Sequence, residues 1–139
     1  DLAKNIAKRV NAMNQNVVVK KLVIGVEHLA ESALAQLTDV LNAYVTRNDS
    51  AALDVRGRDD EIDALYTSLF RELLTYMMED PRNISFCTHL LFCAKNIERI
   101  GDHATNIAET VHYSITGEQL VEDRPKDDQS SVTAIAPQG

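Results

Sequence analysis

Four acidic residues stand at a spacing that could hold a metal ion. Asp59 and Asp63 are four apart, and so are Glu98 and Asp102. On an α-helix, residues i and i+4 share a face, with Cβ atoms about 5–6 Å apart. Like charges placed so close repel unless something neutralises them. The two pairs also mirror each other: Asp59 with Asp102, and Asp63 with Glu98, share one midpoint between Asp80 and Pro81. If the chain turns back there as an antiparallel hairpin, all four carboxylates lie at one height, about 26–32 Å from the turn at 1.5 Å per residue. Clustered oxygen donors suit hard or borderline cations such as Mg, Mn or Fe. Asn106, one turn beyond Asp102, could add an amide oxygen. Arg58 and Arg99, adjacent in sequence to the acids, are candidate competing ion-pair partners. Periodicity places both pairs beside the apolar stripes and leaves their convergence open. The alternative is a solvated acidic face.

Other reactive residues form weaker patterns. Glu109-Thr-Val-His112 is an E-x-x-H, the element that ferritin-like di-iron bundles use twice, and no second copy occurs here. The ordinary expectation for His112 is an exposed side chain. His28, His89 and His103 lack metal-ligand spacing, and no glycine-rich phosphate loop is present. Cys87 and Cys93 form neither a CxxC pair nor a disulfide framework, so buried thiols of a cytosolic protein are expected.

The acids need helices to position them, and the apolar spacing predicts such helices. Residues 1–14 read as the end of a helix, with a break near Met13–Asn16. Val19, Leu22, Val26, Leu29, Ala33, Leu37, Val40 and Tyr44 recur every three or four residues, predicting a long helix over Val17–Arg47. Asn48-Asp49-Ser50 closes it and offers an N-cap for the next. That helix is predicted over Ala51–Glu79, with Ile62, Leu65, Leu69, Leu73 and Tyr76 as its core stripe and Gly57 as a loosening point. Asp80-Pro81-Arg82-Asn83 is a stop and restart, and a last helix runs over Ile84–Ile115 to Thr116-Gly117. Ile97, Ile100, Ala104, Ile107 and Val111 mark its core face. From Glu118 polar, Pro and Ser residues dominate, which predicts a disordered tail over 118–139. The expected fold is therefore all-α: an antiparallel up-down-up three-helix bundle over residues 15–117.

Composition agrees. Of 139 residues, 45% are hydrophobic and only five are Gly and three Pro, a helical profile for one domain. The net charge of −7 argues against a nucleic-acid-binding face. No apolar run is long enough to span a membrane. No signal peptide is visible, and a start at Asp1 without Met reads as a fragment. There is also an internal echo. Asp1–Val10 matches Asp102–Val111 at six of ten positions, an offset of one three-helix unit. Residues 1–14 would then close a preceding, mostly missing repeat.

The stretch Asn96-Ile-Glu98-Arg-Ile-Gly101-Asp102-His-Ala-Thr-Asn106-Ile-Ala-Glu109 resembles the signature of the PhoU family of phosphate-uptake regulators. Asp59-Asp-Glu-Ile-Asp63 resembles that family's other acidic motif, and Asp1–Val10 resembles the end of its first-repeat signature. The resemblance covers residues 1–117 and implies a C-terminal repeat. It implies metal ions in a multinuclear cluster, often iron, held by Asp59, Asp63, Glu98 and Asp102, with Asn106 a weaker ligand. It further implies a non-enzymatic negative regulator of the phosphate-starvation response and of high-affinity phosphate transport. The implied partners are the phosphate ABC transporter ATPase and a sensor histidine kinase; a homodimer is also compatible. The implied location is cytoplasmic, peripheral at the inner membrane through those partners. Two alternative functions stand beside it: a ferritin-like di-iron carboxylate enzyme and a purely structural helical interaction module.

Overall fold

The computed structural model describes residues 1–13 and 20–120, and it is helical throughout, with no strand among those residues. The elements are α1 (Leu2–Ala12), α2 (Lys20–Thr46), α3 (Asp49–Gly57), α4 (Asp59–Glu79), a 3-10 turn (Pro81–Asn83) and α5 (Ile84–Thr116). The start of the expected second helix and the tail from 121 lie outside the described residues. Met13, at the expected break, leaves α1 in an extended conformation (φ −70, ψ 129). No helix among the described residues is long and apolar enough to cross a membrane.

Each helix end has a local cause. α2 closes with Arg47 in the left-handed region (φ 49), while the Asn48 amide bonds back to the Ala43 carbonyl at 2.9 Å. That six-to-one bond is a Schellman closure, a place where glycine is usual. Asn48 then caps α3, its side-chain oxygen accepting from the Ala51 amide at 3.1 Å. At the hairpin, the Asp80 carboxylate accepts from the Arg82 amide at 2.9 Å and pairs with its guanidinium. These bonds hold the Asp80 carboxyl below its usual range. Gly117 closes α5 in the left-handed region (φ 74), as the sequence predicts.

The expected single helix over 51–79 is two helices, which is a correction. Arg58 sits between them at φ −94, ψ 5, outside helical geometry. Gly57 weakens the helix there by about 1 kcal/mol relative to Ala. The decisive partner lies on α2: the Gln36 amide donates to the Arg58 carbonyl at 2.8 Å. The same carbonyl also accepts from the Glu61 amide at 3.1 Å in the first turn of α4, so the Gln36 bond fastens the junction to α2. The break makes Asp59 the first residue of α4, with Asp60 and Glu61 following in the first turn. Acidic residues there meet the positive end of the helix dipole.

α2, the α3–α4 pair and α5 form the expected three-legged bundle, and α1 packs on α5 as an additional leg. Two apolar clusters fill the interior. The larger is built around Leu22, Leu29, Ile62, Leu69, Leu73, Phe86, Leu90 and Ile97. The smaller holds Val40, Ala43, Ala52, Val55, Ala104, Ala108 and Val111. Tyr44 and Leu65, expected in the core stripes, are exposed, because α2 and α4 each turn a neighbouring row inward. Between the clusters, near the α3–α4 break, lie the buried polar residues Gln36, Asp59 and Thr105. Gly101 brings α5 close to α4 there, since a Cβ at this position would meet Ile62 Cδ1 at 2.7 Å.

Candidate metal centre

Three of the four singled-out carboxylates are interior groups. Asp59, Asp63 and Glu98 are 2%, 1% and 2% exposed, whereas Asp102 is half-buried and Asn106 is exposed. Asp59 and Asp63 are inward because they flank Ile62, a core residue at 2% exposure. Glu98 follows the core residue Ile97 on α5, and the two helices pack directly on each other. The question of direction left open by periodicity is thus answered for three acids: they face the bundle. Asp102 and Asn106 sit one and two turns on, where α5 rotates that row outward.

Burying carboxylates is costly unless they are compensated. The Asp59 carboxylate accepts from the Thr105 hydroxyl at 2.7 Å, a bond that ties α4 to α5. Glu98 accepts from Lys95 at 3.0 Å, and the same ammonium lies 4.8 Å from the centre of the Tyr66 ring. Neither Thr105 nor Lys95 was singled out from sequence. Lys95 stands three residues before Glu98, an ordinary helical ion-pair spacing that could have been read. Thr105 carries no comparable signal.

The expected competitors do not compete. Arg58 pairs with Asp39 at 2.6 Å and with Asp54 at 3.4 Å, on the other side of the helix break. Arg99 is exposed and faces α1. The E-x-x-H is also divided between other partners. Glu109 pairs with Arg56 at 3.3 Å. His112, expected at the surface, is 9% exposed, with Nδ1 2.6 Å from an Asp49 oxygen. Both pairs fasten α3 to α5, and neither directs a ligand toward the other. The two thiols are buried as expected, and burial raises both, which keeps them protonated and unreactive.

The donor chemistry of the acidic set, all oxygen, fits a hard cation. Among the described residues, however, no three His, Cys, Asp or Glu side chains close around a point that an ion could occupy. Asp59, Asp63 and Glu98 are buried on the packed α4 and α5, with Asp102 half-buried beside them, and do not form a preformed cage. Lys95 bonds one of the two Glu98 oxygens, Oε1, so a metal held by Glu98 would share the carboxylate with that ammonium rather than require it to leave.

The chain is also similar to known proteins. A family model described as the PhoU domain matches residues 26–111. The "Phosphate-specific transport system accessory protein PhoU homolog" of Rhizobium meliloti (strain 1021) is 66% identical over 131 residues, covering 94% of this chain and 55% of the relative. The protein of the same name from Caulobacter vibrioides (strain NA1000 / CB15N) is 52% identical over 126 residues, 91% of this chain and 55% of the relative. The one from Clostridium acetobutylicum is 40% identical over 120 residues, 86% and 52% respectively. The chain spans about half the length of these relatives.

Proposed function

This chain belongs to the PhoU family, and from that membership we propose that it is part of an accessory regulator of phosphate transport, non-enzymatic and dependent on bound metal. The relatives' shared name supports the transport role. In this reading the whole protein acts as an adaptor between the phosphate ABC transporter ATPase and a sensor histidine kinase, and represses the phosphate-starvation response. It would work in the cytoplasm, at the inner membrane through those partners.

The observation that carries the metal part is the burial of Asp59, Asp63 and Glu98 on two packed helices. Those three and Asp102 would hold iron, Mg or Mn, as one ion or a multinuclear cluster, with Asn106 at its margin. The metal would supply the positive charge that joins α4 to α5. Asp59 accepts from Thr105 across the α4–α5 interface, so a cation held by Asp59 would act at a contact between those two helices and couple metal occupancy to their packing. A second reading rests on the donors Thr105 and Lys95 themselves: a polar layer neutralised from within, serving packing alone.

The two separate in cells. A full-length protein carrying Asp63→Asn/Glu98→Gln keeps side-chain shape while removing two anionic donors. The metal-dependent reading expects derepression of a phosphate-regulated reporter in phosphate-rich medium, at normal protein abundance. Full repression by that variant would leave the internal-packing reading in place.

A further inference from the structure

Away from the acidic layer, α1 and α5 enclose a groove of a different character. It is lined by Asn5, Lys8 and Arg9 from α1 and by His89, Asn96 and Arg99 from α5, with Phe92 at its wall. The spacings on each helix put these side chains on one facing row. Three cations converge here and no carboxylate lines the groove, in a chain of net charge −7. No ion pair of Lys8, Arg9 or Arg99 occurs among the described residues, whereas Lys21, Arg56, Arg58, Arg82 and Lys95 all have acidic partners. The Arg9 guanidinium stacks on Phe92, 4.2 Å from the ring centre, which fixes its plane while leaving its N–H edges available. Nδ1 of His89 is enclosed without a hydrogen-bond partner, so no bond through that nitrogen holds the ring. Asn96 donates one amide N–H to the Phe92 carbonyl of its own helix at 2.7 Å, and its amide oxygen, an acceptor, has nothing to offer an anion.

We propose that the α1–α5 groove binds a phosphate group, held by Lys8, Arg9 and Arg99. Its volume of about 500 Å³ is that of a small-ligand site. A phosphate carries close to two charges and three acceptor oxygens, which matches several cations better than a single carboxylate does. Two arginines supply forked N–H pairs suited to such oxygens, and the lysine adds a point charge. The site is separate from the acidic layer and does not rest on the metal reading. A ligand here would also hold α1 against α5, so occupancy would bear on how the chain before α2 is fixed to the bundle.

The source is free inorganic phosphate or the phosphate of a nucleotide, and one experiment separates them. Calorimetric titration of the full-length protein with inorganic phosphate, and separately with ATP, is done with EDTA present so that no metal mediates binding. The expected result is saturable binding of at least one probe, weakened at least tenfold in Lys8→Gln and in Arg99→Gln and unchanged in Asp63→Asn. Both basic side chains are exposed, so the variants keep the fold, which circular dichroism checks. Binding of inorganic phosphate assigns the free ion, and binding of ATP alone assigns a nucleotide. No saturable binding of either probe, or equal binding in both basic variants, overturns the proposal.

Discussion

At the scale of single residues, the acidic layer is a balance between burial cost and internal donors. Asp59 is 2% exposed and accepts from Thr105 across the α4–α5 interface. Thr105→Val keeps the shape and removes the donor, leaving a buried carboxylate oxygen without it. A loss of about 1–3 kcal/mol in urea unfolding is expected. A loss below about 0.5 kcal/mol would show that other donors dominate at Asp59. The acids themselves were legible from their spacing, because i, i+4 pairs mirrored about a turn are a local pattern. Their donors were not. Thr105 lies 46 positions from Asp59, and only the packed helices bring them together. His112 shows the same limit, since its burial depends on Asp49, 63 residues earlier.

At the scale of elements, helix ends set by local chemistry were readable and the one set by a distant contact was not. The Asn48 cap, the Asp80–Pro81 turn and the Gly117 closure each follow from the residue type at the boundary. The break at Arg58 had Gly57 as its only local sign, and the Gln36 amide from α2 completes it. Tyr44 and Leu65 were misplaced because an apolar residue one position off the inward row still fits a three-four spacing. Arg47 offers a test of the helix-end account. It holds a left-handed conformation (φ 49), and its side chain reaches the Ser114 carbonyl only at 3.5 Å. Arg47→Gly removes the steric cost of that conformation. It is expected to stabilise the protein by about 1 kcal/mol, seen as a higher urea midpoint at unchanged slope. A lower midpoint would mean that the arginine's long-range contact outweighs the backbone strain.

For the whole molecule, the acidic layer lies beside the seam between two apolar clusters, with Gln36, Thr105 and the α3–α4 break at the same level. A cation bound there would add a link between α4 and α5, which the larger cluster already packs together. Binding to the folded state alone stabilises by about 2.7 kcal/mol at a hundredfold excess over Kd. For a bundle of this size the melting temperature should then rise on the order of 10 °C with Mg, Mn or Fe. No shift at millimolar cation would count against metal in the layer. The bundle, its turn and the acidic pairs were legible because each rests on helical periodicity. How the pairs are neutralised depends on packing and was not. The most direct test is metal content. Protein purified without chelator, as wild type and as Asp63→Asn/Glu98→Gln, is measured by inductively coupled plasma mass spectrometry. The account predicts at least one equivalent of iron, manganese or magnesium per chain in wild type and at least a tenfold loss in the variant. Equal content in the two, or none in either, would contradict it.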